Sequence, residues 1–246
     1  MPRLRWAIWG KQEGNFRPIQ LGDYELQMAL EKESAKTFKF AQIISPRCDF
    51  TNKIESFQNP YWYSPTFHTR TYEPCDGVVV LGSPGAKRSA ALFNADCPMI
   101  AVCDIWKERF AVLHGGYRCL LREDGSDSII KVLFREFGFQ PKFVEAFVGF
   151  GIGNCCFGAE HYSEMKDSKT RGQLPISTAS KGPREGQRSI DLRLLALQQL
   201  SELGVPLKSI TIDFTCTACA DGGKKYHSNC YDGPDAGRNC ALAWLE

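Results

Sequence analysis

The sequence contains no apolar run that approaches the roughly 20 residues needed to cross a bilayer. Its N-terminal stretch, MPRLRWAIWGKQEGNFRP, lacks the apolar core of a secretory signal peptide, because charge returns at Lys11. Net charge is also low, since 30 basic residues face 28 acidic ones and leave +2. These absences favour a cytoplasmic protein without a membrane or nucleic-acid partner.

Histidine and nucleotide-binding fingerprints are scarce as well. The chain has only four histidines, whereas copper oxidases need several at clustered sites, so copper is not expected. The glycines of GFGIGNCCFG, residues 149–158, match neither the dinucleotide fingerprint nor a P-loop. We interpret them as places of close backbone approach, Cys155 and Cys156 as packing residues, and His161 as solvent-exposed.

Cysteine is abundant by contrast, with eleven residues. An odd number spread over 246 residues of ordinary apolar content differs from the even, closely spaced framework of a small secreted protein. We therefore expect reduced thiols in a cytoplasmic protein, most of them serving as small buried apolar groups.

The residue pattern predicts one domain of mixed α/β (α+β) class. No internal repeat is present, and short apolar runs bounded by Gly, Pro or Asp alternate irregularly with helical patterns. Segments 46–75 and 162–188 are expected to be loops, the first near a functional pocket and the second exposed. Helices are predicted at 23–37, 127–137 and 191–203, and strands at 39–45, 76–85, 89–104, 108–116, 143–153 and 209–214.

Cys97 and His114 form the first candidate site. Cys97 precedes Pro98 at the start of one strand-like run, and His114 precedes two glycines at the end of the next. If the two runs pair as antiparallel neighbours, the start of one meets the end of the other. A Cys beside a His is either a nucleophile pair or a pair of metal ligands. The pattern leaves both interpretations open, and it also allows a buried cysteine and a turn histidine that have no common role.

The tail holds a second group, CTACADGGKKYHSNC. Cys216 and Cys219 form a Cys-x-x-Cys, and His227 and Cys230 follow at a distance that could complete a structural zinc site. Reduced structural thiols are the simpler interpretation, because the spacing is looser than in a zinc finger.

Six motifs follow one another along the chain: NADCP, AVLHGGYR, GFGIGNCCFGAE, SIDLRLL, CTAC and AGRNCALAWL. Taken in this order, they resemble the laccase-domain family, which includes multicopper polyphenol oxidases and purine nucleoside phosphorylase-like enzymes with adenosine deaminase activity. The resemblance covers roughly residues 76–246. The family's Ala-Asp-Cys and His-Ala-Gly-Trp-Arg-Gly motifs are Ala95-Asp96-Cys97 and His114-Gly115-Gly116-Tyr117-Arg118-Cys119 here.

This resemblance implies a layered sandwich of mixed β-sheets with flanking helices, formed by residues 1–246 as a single domain. It also implies a zinc-type metal held by one Cys and two His, of which Cys97 and His114 would be two. The third ligand of the family lies in Gln-Val-His-Gly, where this chain has isoleucine, Ile44, in place of the histidine. We therefore expect either that His68 supplies the third ligand or that no metal binds.

The function that the resemblance implies is purine nucleoside phosphorolysis of adenosine or inosine, with a nucleoside and phosphate as the small-molecule partners. Cys97 and His114 would be the catalytic residues. Substrate would be bound by Tyr117, Arg118 and Arg238, and a base could stack on Tyr61 or Trp62.

Two alternatives remain open at the level of sequence. The replacement at Ile44 favours a nucleoside-binding or regulatory protein that has lost turnover. The pair of Cys97 and His114 is also compatible with a metal-free hydrolase in which the thiol is the nucleophile.

Overall fold

The structure, a computed structural model, describes residues 3–17, 23–37, 42–48, 53–57, 68–70, 74–81, 88–122, 125–157, 179–181 and 188–246. Within these ranges the β-strands are β1 (Leu4–Trp9), β2 (Gln42–Ser45), β3 (Ile54–Phe57), β4 (His68–Arg70), β5 (Gly77–Leu81), β6 (Arg88–Asn94), β7 (Met99–Asp104), β8 (Arg109–His114), β9 (Val144–Val148), β10 (Ala179–Lys181), β11 (Arg188–Ile190), β12 (Ile210–Ile212) and β13 (Asn239–Leu245). The α-helices are α1 (Asp23–Thr37), α2 (Tyr117–Leu120), α3 (Ile129–Phe137), α4 (Leu192–Glu202) and α5 (Asn229–Asp232).

The strands form two mixed sheets and one short hairpin. The five-stranded sheet has the order β1-β13-β6-β2-β4, antiparallel from β1 to β6 and parallel from β6 to β4. The six-stranded sheet has the order β12-β9-β7-β8-β5-β3, with parallel pairs at its two ends and antiparallel pairs between them. β10 pairs with β11.

The two sheets pack face to face, because successive side chains of a strand point to opposite faces. On β7, Met99 and Ala101 lie between the sheets with Leu92 and Ala241, whereas Ile100 and Val102 face helices α2, α3 and α4. Helix α1 covers the outer face of the five-stranded sheet through residues such as Leu26 and Leu30. The predicted α+β fold, a layered sandwich of mixed sheets with flanking helices, is therefore confirmed.

Helices α1, α3 and α4 lie within two residues of their predicted bounds, whereas the short helices α2 and α5 were not predicted. Ser128 accepts a hydrogen bond from Lys131 N at the start of α3, which ends at Gly138 in the left-handed conformation, φ 60°. Asp191 caps α4 in the same way, and Gly204 follows its end with φ 91°. None of the helices among the described residues is long and apolar enough to cross a membrane.

Several strands lie where none was predicted. β3 and β4 fall inside segment 46–75, β10 falls inside segment 162–188 and β11 begins at the last residue of that segment, so these segments are not loops throughout. They are only three or four residues long, too short for an alternating pattern, and neighbouring strands hold them in place. β1 and β13 were not predicted either. In the structure, β13 lies between β1 and β6.

Candidate metal centre

The hairpin of β7 and β8 places Cys97 and His114 at the same end of the two middle strands of the six-stranded sheet. Met99, two residues after Cys97, pairs with His114, so the predicted antiparallel arrangement is confirmed. Gly115 N donates to Pro98 O at 2.8 Å. A Cβ on Gly115 would lie only 2.6 Å from that oxygen, which explains the glycine after the histidine.

Asp76 orients His114. The Oδ1 atom of Asp76 lies 3.0 Å from Nδ1 of His114, and His114 N donates to Asp76 O at 2.7 Å. Asp76 is fully buried and His114 is 6% exposed. A carboxylate on Nδ1 fixes the ring and makes Nε2 the nitrogen that can bind a metal.

The charge at His114 depends on its neighbours. Burial, the largest influence, lowers the pKa of the imidazole, whereas negative charge on Cys48 and Cys97 raises it. With the hydrogen bond to Asp76 added, the pKa lies well above its ordinary value. Cys119 Sγ lies 3.8 Å from Nδ1, and burial raises the pKa of this thiol to about 11. The carboxylate of Asp76 and the neighbouring sulfur atoms therefore favour a positive charge on His114.

Cys48 is a donor that the sequence argument missed. Its sulfur, a carboxylate oxygen of Asp76 and a ring nitrogen of His114 all lie within 4.8 Å of one another. Ile44, by contrast, is 2% exposed and packs between the two sheets. In this chain, the segment in which the family has its histidine brings a thiol to the site instead, four residues after Ile44. The signal in the sequence is a metal-ligating side chain just after β2.

His68 remains a prediction. Its backbone lies in β4, paired in parallel with Ile43 of β2, and its side chain is outside what the structure describes. Tyr61 and Trp62, predicted to stack on a base, also lie outside the described residues, as does His161.

A cavity of about 570 Å³ opens beside the candidate metal centre. The predicted substrate-binding residues Tyr117, Arg118 and Arg238 all line it, and the structure adds Arg17, which was not predicted. The other lining residues that matter here are Cys48, Phe93, Asn94, Cys97, His114, Phe157 and Cys230. A volume of this size suits a small-molecule ligand.

Arg17 and Arg238 form a cationic end of the cavity. Asn15 Oδ1 accepts hydrogen bonds from Arg17 N at 2.9 Å and from Arg238 N at 3.0 Å, which holds the two residues together. Both guanidinium groups donate to Ala236 O. Burial and then the charge of Arg17 lower the pKa of Arg238, so an anion between them would relieve the repulsion.

Asp96 and Asn94 shape the wall next to Cys97. Asp96 has a positive φ of 94°, and its carboxylate accepts from Thr217 Oγ1 at 2.6 Å and from Cys230 N at 2.9 Å. Asn94 donates to Cys97 O. Its side-chain oxygen is buried, without a hydrogen-bond partner among the described residues, and can accept from a ligand.

The tail motif does not form the predicted ligand set. The thiols of Cys216 and Cys219 cluster with those of Cys155 and Cys156 rather than with His227 and Cys230. His227 Nε2 lies 3.0 Å from Gly14 O, at a different part of the chain. Cys155 is exposed, so the interpretation of this pair as packing residues is wrong for Cys155.

Replacement of Asp76 by asparagine is expected to weaken metal binding at His114 by roughly 10- to 100-fold, because the carboxylate that fixes the ring is lost. Competition with a chromophoric chelator measures the affinity. Asp127→Asn removes an exposed carboxylate next to α3 and serves as the matched control. Equal affinities for the two variants would show that Asp76 does not position the ligand.

Comparison with known proteins agrees with the geometry. The family model described as multi-copper polyphenol oxidoreductase laccase matches residues 52–246. A solved structure of the hypothetical protein YfiH of Bacillus licheniformis is 19% identical, with a TM-score of 0.70, and the match covers 94% of this chain and 85% of that one. Protein NMB0706 of Neisseria meningitidis is 18% identical, with a TM-score of 0.68 and coverage of 92% and 83%. YlmD of Geobacillus stearothermophilus is 18% identical, with a TM-score of 0.70 and coverage of 98% and 91%. These structures establish a shared fold, and a comparison with curated proteins found no match.

Proposed function

Since the chain belongs to the multi-copper polyphenol oxidoreductase laccase family, we propose that it is a purine nucleoside phosphorylase-like enzyme acting on adenosine or inosine. The observation that carries the proposal is one cavity lined by three thiols, an imidazole and three arginines. Metal ligands and anion-binding groups thus face the same space, as phosphate-dependent cleavage of a nucleoside requires.

The donors fit one zinc-type ion. Cys48, Cys97 and His114 line the same cavity and would supply sulfur and nitrogen, and three protein ligands with one open position are typical of catalytic zinc. Of these, Cys48 and His114 have donor atoms within 4.8 Å of each other and of a carboxylate oxygen of Asp76. They do not fit a multicopper centre, which needs several clustered histidines, because the chain has four in all and His227 is bonded to Gly14. When bound, such an ion would supply Lewis-acid polarisation of an oxygen of phosphate or water.

The arginines would hold the phosphate. Arg17 and Arg238 lie together through Asn15, and Arg118 lines the same cavity. Guanidinium groups bind phosphate oxygens through two parallel hydrogen bonds, which fixes orientation as well as charge. Bound phosphate would then lie close to the centre at Cys97, whose charge also acts on Arg238.

The aromatic and amide groups would hold the nucleoside. Phe93, Tyr117 and Phe157 give the cavity apolar faces on which a purine can stack. The buried oxygen of Asn94 can accept a hydrogen bond from a base N–H or a ribose hydroxyl.

In this reaction a phosphate oxygen forms a bond to C1′ of the sugar while the bond from C1′ to the purine nitrogen breaks. The electron pair of that bond stays on the base, which takes up a proton from solvent. The arginines stabilise the phosphate until attack, and exclusion of water by the aromatic side chains favours phosphorolysis over hydrolysis.

The test is release of hypoxanthine from inosine, or of adenine from adenosine, by the purified protein with zinc, in the presence and absence of phosphate. We expect release that depends on phosphate. Replacing Arg238 by glutamine is expected to raise the KM for phosphate at least tenfold, since a charged hydrogen-bonding partner is lost. Arg5→Gln is the matched control, because Arg5 of β1 is exposed and forms an ion pair with Glu246.

The other outcomes separate the alternatives. Nucleoside-dependent thermal stabilisation without product would favour the binding protein. Turnover that is insensitive to chelator but abolished by alkylation of Cys97 would favour the metal-free hydrolase. Absence of both turnover and stabilisation, with zinc supplied, would refute the proposed function.

A further inference from the structure

Four cysteines form a cluster away from the ligands of the candidate metal centre. Cys155 and Cys156 follow β9, and Cys216 and Cys219 follow β12. Their four sulfur atoms lie within 4.8 Å of one another, although some 60 residues separate the two pairs in sequence. The sulfurs of Cys155 and Cys219 are 3.6 Å apart.

Backbone contacts hold the two segments together. Gly151 forms an isolated parallel bridge with Cys216, and Thr217 N donates to Gly151 O at 3.1 Å. Gly153 N donates to Cys216 Sγ at 3.2 Å. A Cβ on Gly153 would lie 3.2 Å from Cys155 Sγ and 3.4 Å from Cys216 Cβ, so the glycine permits the approach.

Neither packing nor a disulfide explains these thiols. Cysteine as a small apolar residue is normally buried, yet Cys155 and Cys219 are exposed and only Cys216 is buried. A disulfide joins sulfurs about 2.05 Å apart, whereas Cys155 and Cys219 are 3.6 Å apart and all four cysteines are free.

The 3.6 Å between the sulfurs of Cys155 and Cys219 matches one tetrahedral ion, and the 4.8 Å bound on the other separations is compatible with it. Zinc–sulfur bonds of about 2.3 Å at tetrahedral angles place the sulfurs about 3.8 Å apart. Four thiolates are a soft donor set that selects zinc over magnesium or calcium. The guanidinium of Arg193 interacts electrostatically with Cys155 and Cys216 and offsets part of the negative charge of such a site.

We propose that Cys155, Cys156, Cys216 and Cys219 bind one zinc ion as a closed tetrathiolate site. On binding, four zinc–sulfur bonds form and the thiol protons pass to solvent. With no open position, this ion takes no part in the reaction proposed above, and the inference does not depend on that reaction.

The site would fix one wall of the cavity. Ile152 and Phe157, on either side of the first cysteine pair, line the cavity. On the other segment, Thr217 donates to Asp96, and Cys230 Sγ lies 3.7 Å from Cys156 O. Joining the two segments through zinc would therefore hold Phe157 and Asp96 in place.

The experiment uses the full chain carrying Cys48→Ala, so that the first centre contributes no tightly bound metal. Protein purified under reducing conditions with zinc supplied is expected to contain one zinc per chain by mass spectrometry of the elements. Adding Cys219→Ser or Cys155→Ser should remove this zinc, and both residues are exposed, so serine should leave the fold intact. Cys230→Ser is the matched control, since Cys230 adjoins the cluster without belonging to it.

Cobalt gives a second readout. The background protein should show the intense sulfur-to-cobalt absorption of a tetrahedral thiolate site, lost in Cys219→Ser and kept in Cys230→Ser. The proposal is overturned if the background holds no zinc, if iron takes its place, or if Cys230→Ser loses the metal while Cys219→Ser and Cys155→Ser retain it.

Discussion

Cys48→Ala is expected to remove one equivalent of zinc from the protein and to lower the zinc affinity of the candidate metal centre by more than about 100-fold. Loss of a residue that only orients a ligand costs roughly 10- to 100-fold, and loss of a ligand itself should cost more. A catalytic zinc ion with two protein ligands is weakly held. Without Cys48, Cys97 and His114 would be the two remaining ligands of those proposed from the described residues. The proposed phosphorolysis should disappear with the metal.

Zinc content and chelator competition measure this effect independently of activity. Cys103→Ala is the matched control, since Cys103 is fully buried between the sheets and away from both cysteine clusters. Zinc at the tetrathiolate site does not confuse the result, because the prediction concerns the difference of one equivalent. A Cys48→Ala protein that keeps all its zinc would exclude Cys48 as a ligand.

Asp191→Ala is expected to lower the free energy of unfolding by roughly 3–5 kcal/mol, the cost of leaving a buried charge without its partner. Asp191 caps α4 and binds Arg193 through both carboxylate oxygens, at 2.9 and 2.6 Å. The two side chains are 5% and 3% exposed. Urea denaturation followed by tryptophan fluorescence measures the loss.

Two further variants test the cause. Asp127→Ala breaks an exposed ion pair with Arg135 and should cost less than about 1 kcal/mol. In Asp191→Ala/Arg193→Met the unpaired charge is also removed, so part of the lost stability should return. If the single variant at Asp191 is no less stable than Asp127→Ala, the buried pair does not have the predicted role.

Long, regular elements could be predicted from the sequence because their own residues determine them. The apolar spacing of α3 and its left-handed Gly138 define a helix without reference to the rest of the chain. β4 and β13 are different. β4, HTR, is a strand because it pairs with β2, and the small residues of β13 fit between two neighbours. Such information lies in partners far along the sequence.

The candidate site shows the same division. Cys97 and His114 could be paired from the sequence, because one hairpin joins them. Cys48 and Arg17 could not, because each lies on a segment far from the hairpin in sequence. Asp76 could not either, because it reaches His114 only through the pairing of β5 with β8. Cys48 lies just after β2, where the family motif has histidine within the strand, so an expectation of histidine at that strand does not indicate a thiol.

The position of β13 between β1 and β6 has a consequence for how the chain folds. During synthesis, β1 and β6 leave the ribosome long before residues 239–245, yet β13 is the strand that lies between them. Leu4 pairs with Leu245, a contact between distant parts of the chain, and topologies rich in such contacts fold slowly. The five-stranded sheet can therefore close only after translation of this strand, and until then the facing edges of β1 and β6 remain open to chaperones or to pairing with other chains.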